Sequence, residues 1–269
     1  MTGSDATEKG EHQNIARTRT ILDALAESAG QGLRLTDVVR RTGLGKTSCH
    51  RALAGLVAHG LADQDEESGH FFLGLRLLGW AARSTRRYGL SRFIAPCLDR
   101  LAQMSEDTVY FSLLSGNEAV CVDRREGAYP IKTLTLGIGD RRPLGIGSGS
   151  LALLAAQPKE RVETIIRTHT TERQRYAIDD VALRRKVKET QEVGYALIDG
   201  EIIPGMAAVG MALRDAQGRG IAALSVAAIS QRMTTERRAS IADLLQEEIA
   251  RIECEAGAHL DSPLATLRT

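Results

Sequence analysis

Long apolar runs are missing from this sequence. No stretch approaches the roughly 20 consecutive apolar residues of a membrane span, and no apolar segment follows a basic start, so neither a spanning helix nor a secretory leader is expected. Cysteine is sparse and scattered. The four, at 49, 97, 121 and 254, form no Cys-x-x-Cys pair, which argues against zinc ligation and a disulfide framework. No metal and no cofactor are expected, and isolated thiols suit a cytoplasmic protein. Aromatics are few, with a single Trp, and Ala, Leu and Gly dominate instead. A charge excess is also lacking: 35 basic residues face 34 acidic ones, so no global basicity advertises nucleic acid.

What is present is local. From Ile15 to Gly60 there are seven basic residues (17, 19, 34, 40, 41, 46 and 51) against three acidic (23, 27 and 37). That stretch reads as a helix over Asn14–Ala29, stopped by Gly30, and then a helix pair. Thr36 is expected to cap the second helix, and Thr42-Gly43-Leu44-Gly45 to break it, because glycine tolerates the left-handed backbone of a tight corner. The third helix starts near Gly45 or Lys46 and buries Leu53, Leu56 and Val57, leaving a polar first half. Helix, glycine turn and helix is the plan of a helix-turn-helix. Leu61–Gln64 and His70–Gly74 flank the acidic turn Asp65–Gly69 and complete a winged helix. The acidic wing tip disfavours close approach to phosphate.

At 269 residues two domains are the default. Leu75–Arg87 reads as a connecting helix carrying Trp80, which serves either as an anchor between domains or subunits or as core packing of the first domain. The boundary is expected between Trp80 and Ser91, with Ser91 capping a helix over residues 92–105. Thr108–Gly116 and Ala119–Arg124 around Gly116-Asn117 indicate a hairpin, and Ile131–Leu136 a third strand. Helices follow at Leu151–Ala156, Lys159–Arg167 and Asp179–Val193. Strands are expected at Tyr195–Asp199, Gly205–Arg214 and after Gly220, and then a long helix capped by Thr234. The pattern implies an α+β second domain with one sheet face covered by helices. The opening residues 1–13 are polar and expected to be disordered.

Catalytic constellations are scarce. The glycine-rich run 145–150 lacks the Gly-Lys-Ser/Thr ending of a P-loop. It could hold a small anion such as a carboxylate at a helix start, or merely allow close packing. His70, His169 and His259 stand near no nucleophile or ligand set. Ser148 and Ser150 lack the closing glycine of a nucleophile elbow. Cys121, between two valines, reads as a buried inert thiol. Asp199 and Glu201 form an acidic pair that either holds a polar ligand group or is solvated.

Four blocks carry a resemblance to the IclR-type bacterial transcription regulators. They are TGLGKTSCHRAL, HFFLGLRLLGWA, RRPLGIGSGSLALLAA and GYALIDGEIIPGMAAVGMALRDAQGRGIAALSV, in order across Ile15 to about Ala250. The resemblance implies an N-terminal winged helix-turn-helix over residues 14–76, a linker helix over 77–91, and a C-terminal GAF-like α/β effector-binding domain over 92–257. It implies a homodimer or dimer of dimers on a palindromic operator in double-stranded DNA. Lys46, Thr47, Ser48, His50 and Arg51 would face DNA, with Lys46 suited to phosphate and Arg51 to guanine; in the bland alternative His50 turns inward. Gly145, Ile146, Gly147, Asp199, Ala208, Ser225 and Ala227 would line the effector pocket. The chain departs from the family pattern at Gly45, where proline is commoner. It departs again at Ala208, where cysteine or serine is frequent, at Ala227, where a second serine can occur, and at Gly145 and Gly147, which replace bulkier or hydroxylated residues. Fewer polar groups point to a larger or more apolar effector, such as an aromatic acid. The other readings are an enzyme tethered to a helix-turn-helix and a dimeric DNA-binding protein without a ligand.

Overall fold

The computed structural model describes residues 4–28, 30–87, 90–168, 173, 176 and 178–256. Two compact units emerge, Met1–Arg86 and Arg87–Thr269.

The first unit begins with α1 (Ser4–Ala26), then α2 (Leu35–Thr42) and α3 (Lys46–Ala58). Helix α1 starts ten residues before the expected Asn14 and takes in most of the polar opening. Ala6, Glu8, Lys9 and Glu11 are good helix formers, and only Gly10 opposes them. The corner between α2 and α3 is as the glycine pattern predicts. Gly43 has φ +68° and donates its N–H to Val39, closing α2 with a left-handed residue. Thr36 is not the cap. Leu33 exchanges both backbone hydrogen bonds with Phe71, at 2.9 and 2.8 Å. The chain is therefore held extended through Arg34, and α2 starts at Leu35. Strands β1 (Ala62–Gln64) and β2 (Phe71–Leu73) pair antiparallel to form the wing. The core gathers Ile21, Leu25, Val38, Cys49, Leu53 and Leu56. Helix α4 (Leu75–Arg87) follows, with Leu75, Leu78 and Trp80 exposed. Trp80 therefore does not pack in the first unit's core.

The second unit starts with α5 (Leu90–Ser105), which takes Ser91 into its first turn rather than using it as a cap. Tyr88 and Gly89, the expected break, lie outside the described residues, as does the tail after Ala256. Strands β3 (Thr108–Ser115), β4 (Glu118–Glu126), β5 (Arg141–Pro143), β6 (Ala196–Asp199), β7 (Met206–Arg214) and β8 (Gly220–Ile229) form one antiparallel sheet in the order β5-β4-β3-β8-β7-β6. The helices are α6 (Ser148–Ala155), α7 (Lys159–Thr168), α8 (Asp180–Val193) and α9 (Thr235–Ala256). They cover both sheet faces, which corrects the expectation of one. Strand β8 shows why. Ala222, Leu224, Val226 and Ala228 point to a core with α5 and α9, while Ala223 points to a second core with α6, α7 and α8. With few polar side chains on this strand, neither face suits water.

Ile131–Leu136 is not a strand. Side chains, not a ladder, satisfy its backbone. The Tyr110 hydroxyl donates to the Thr133 carbonyl and accepts from Thr135 N at 3.2 Å, and Thr133 N donates to Thr108 Oγ1 at 3.2 Å. Arg142 donates to Thr135 O at 2.7 Å and Arg124 to Leu136 O at 3.0 Å. The segment is thus a strap tied across β3–β5.

Between α5 and α9 a buried carboxylate is clamped: Arg100 donates to Glu248 through Nε at 2.8 Å and NH2 at 2.6 Å. Burial by itself would raise the Glu248 pKa, but Arg100 outweighs it and holds the carboxyl below its ordinary 4.5. A carboxyl depressed in the folded state stabilises above its unfolded pKa, and the stabilisation is lost as pH falls toward the folded value. Thermal melts of Glu248→Gln and the parent protein should therefore converge as pH is lowered from about 5 to about 3. A constant difference across that window would assign the effect to packing alone.

Candidate functional site

Two sites can be built from these elements. On α3, Lys46, Thr47, His50 and Arg51 are all exposed, and their i, i+1, i+4, i+5 spacing puts them on one helix face. Cys49, Leu53 and Leu56 are buried on another. Ser48 is half-buried and stands off the polar face. His50 does not turn inward. Helix α3 carries no carboxylate, so its face presents cations and donors alone. In the wing, Asp65 accepts from Ser68 N at 2.7 Å, and Glu66 and Glu67 are exposed. The wing tip is therefore acidic, as its composition predicts.

The second site is a cavity on the sheet face that carries α6, with about 630 Å³ of unfilled space including its open mouth. Five of the seven expected residues line it: Ile146, Gly147, Ala208, Ser225 and Ala227. Gly145 and Asp199 do not. Gly145, at φ +95°, packs toward the core, where a Cβ would stand 2.7 Å from Leu183 Cδ1; it serves close packing. Asp199 accepts from Ser230 Oγ at 2.8 Å and from Arg238 NH2 at 2.6 Å, so it ties β6 to α9. Glu201 pairs with Lys186 and is no free ligand group.

The cavity also gathers residues that sequence reasoning did not single out for it. Ile198, Ile202, Ile203 and Met206 supply apolar surface from β6, the following loop and β7. Tyr110, Ser112, Thr133, Thr135 and Arg142 supply polar groups, and Ser148 joins them from the glycine-rich run already noted. Burial pushes the Tyr110 phenol up, so it stays an O–H donor and holds the strap. Arg142 forms no ion pair among the described residues, and burial lowers its pKa below the ordinary arginine value. The guanidinium stays charged at any physiological pH. The RRP triplet was the available signal for Arg142, but nothing local distinguishes a surface arginine from one facing a cavity. Cys121 lies behind the cavity with Tyr110 and Ala227, its thiol pushed up to about 11 by burial; it is unreactive. His169 and His259 lie outside the described residues. Among the described residues no group of His, Cys, Asp and Glu is placed to hold a metal ion, and no helix is long and apolar enough to cross a membrane.

A winged helix-turn-helix in one chain with a cavity-bearing antiparallel sheet domain defines a two-part DNA-binding regulator. The comparisons give the family. Residues 15–66 match the IclR helix-turn-helix domain, and residues 82–253 match the C-terminal domain of the bacterial transcriptional regulator IclR. The chain belongs to the IclR family of bacterial transcriptional regulators. It is 27% identical to the HTH-type transcriptional regulator BhcR of Paracoccus denitrificans over 91% of this chain and 88% of that one. It is also 27% identical to the HTH-type transcriptional regulator XynR of Escherichia coli, over 87% and 93%. Among solved structures, an IclR regulator from Alicyclobacillus acidocaldarius shares the fold with TM-score 0.76 at 20% identity, over 91% of this chain and 99% of that chain. An IclR homolog from Microbacterium hydrocarbonoxydans, complexed with 4-hydroxybenzoate, does so with TM-score 0.74 at 23% identity, over 90% and 98%.

Proposed function

We propose that this regulator reads DNA through Lys46, Thr47, His50 and Arg51 on α3, with Ser48 beside them, and that a small, largely apolar metabolite in the sheet cavity alters operator binding. The observation that carries the effector half is the cavity itself: apolar surface from β6, the following loop and β7 with hydroxyls and one cation beside it. In this reading residues 14–76 are the DNA-binding domain, 77–91 the linker and 92–257 the effector domain. Exposed Leu75, Leu78 and Trp80 on α4 support subunit association, and a homodimer or dimer of dimers sets two heads on a palindromic operator. The acidic wing makes one head a weak binder, so spacing supplies specificity. The tethered-enzyme reading is disfavoured because no His, Cys, Asp or Glu is among the residues lining the cavity, which leaves no nucleophile–base pair.

An anisotropy titration against the DNA upstream of its own gene, repeated across salt, tests the DNA half. Lys46→Ala should weaken all sequences alike and lower the salt slope by about one unit. Arg51→Ala should cost about 1–3 kcal/mol and relax preference at one position per half-site. Unchanged binding by both variants would remove α3 as the reading helix. A metabolite screen by thermal shift, with hits carried into the same titration, tests the effector half. Hits that stabilise the protein without changing operator affinity would sink it.

A further inference from the structure

The polar groups of the cavity converge on one end of it. Arg142 donates through NH2 to Thr135 O at 2.7 Å. That bond fixes the guanidinium, while Nε and NH1 find no acceptor among the described residues. NH1 lies 3.1 Å from where a Cβ on Gly147 would stand, so it sits beside the N-cap of α6. The first-turn amides of α6, at Ser148, Gly149 and Ser150, have no intrahelical acceptor by the geometry of any helix start. All three residues line the cavity. One buried hydroxyl completes the picture. Thr133 is 1% exposed, and its Oγ1 has no hydrogen-bond partner.

A half-buried guanidinium with two unpaired donor nitrogens and no carboxylate in direct contact, Asp140 acting on it only from a distance, is an arrangement that a bound anion improves. No carboxylate is among the residues lining the cavity to do so. Taking the cavity as the effector site, we propose that Arg142 is its anion receptor. It pairs with the carboxylate of a monoanionic organic acid at the N-terminus of α6, while the acid's apolar body lies on Ile198, Ile202, Ile203 and Met206. One guanidinium and a helix end equivalent to roughly half a charge match one carboxylate. A second carboxylate would be buried against isoleucines.

The rival role for Arg142 is to brace the strap through Thr135. Comparing acids with their uncharged carboxamides separates the two. The full-length protein is titrated calorimetrically with acetate, pyruvate, hexanoate, benzoate and phenylacetate, and with the matching carboxamides. At least one acid should bind about tenfold or more tightly than its carboxamide, the scale of a charge-assisted hydrogen bond. Arg142→Leu should bring that acid down to the carboxamide's affinity and leave the carboxamide unchanged, and Arg142→Lys should recover part of the preference. Equal binding of acid and carboxamide by the parent protein would overturn the receptor while leaving the effector site standing. Equal loss of both ligands in Arg142→Leu would also overturn it, and Arg142 would be a brace. If no acid and no carboxamide bound the parent protein, the effector reading of the cavity would fall and the receptor with it.

Discussion

Replacing Asp107 with alanine is expected to destabilise the second unit by about 3 kcal/mol, at the lower edge of the roughly 3–5 kcal/mol that follows removal of one side of a buried ion pair. Asp107 is 2% exposed. It accepts from Arg232 Nε at 3.0 Å and from Arg237 NH2 at 2.8 Å. Arg232 also lies over the Tyr129 ring, 3.8 Å from its centroid, and Arg237 donates to Ser105 O at 2.6 Å. One carboxylate therefore joins the α5–β3 corner to the start of α9. Without it, Arg232 keeps only the looser contact with Glu106, at 3.5 Å, and Arg237 loses its paired carboxylate, inside a packed corner. Their side chains remain 19% and 32% exposed, so water recovers part of the loss, which places the effect at the lower edge. Urea denaturation of Asp107→Ala and Asp107→Asn measures it. A loss under about 1 kcal/mol, the size of a surface pair, would show that the corner is held by packing.

Gly210→Ala should have the second large effect, and it bears on function. Gly210 lies in β7, paired with Ala196 on β6 and Ser225 on β8. A Cβ there would come within 2.5 Å of the Ser148 carbonyl carbon and 2.6 Å of its oxygen. The obstacle is backbone, so no rotamer change relieves it, and α6 must lift from the sheet. Overpacking of this kind costs about 1–3 kcal/mol, and the rigid neighbour puts the expected value near the top of that range. Because the first turn of α6 forms the polar end of the cavity, ligand affinity should fall together with stability. Gly55→Ala is the matched control. Gly55 is exposed within α3 with nothing within 4 Å of its Cβ position, so the substitution should stabilise by about 0.5–1 kcal/mol. If both variants melted alike, close seating of α6 on β7 would be wrong.

Local patterns were legible. The Gly43 corner, the polar leading half of α3, the Gly116-Asn117 hairpin and the Thr234 cap (Thr234 Oγ1 accepts from Arg237 N at 3.3 Å) follow from residues within a few positions of one another. The failures have a common cause. Thr36 is a better cap than Arg34 by residue type, yet a distant bridge from Leu33 to Phe71 sets where α2 begins. Ile131–Leu136 has the composition of a strand, yet the Tyr110 hydroxyl and two arginines take its hydrogen-bonding groups. Both segments were decided by partners far along the chain.

The candidate site divides in the same way. By itself the sequence determined the two-domain plan, the α3 face and the glycine-rich start of α6, because periods of 3.6 and 2 and the backbone freedom of glycine act locally. It also placed Ile146, Gly147, Ala208, Ser225 and Ala227 near one another through family resemblance. Only the tertiary structure decided that Asp199 turns to Arg238, that Gly145 belongs to the core behind the site, and that Thr133 and Arg142 face the cavity. The pleat of β3 and β8, the tie of the strap and the seat of α6 set those directions together. A side chain's facing depends on what packs behind it, and here that packing comes from segments up to about a hundred residues away in the chain.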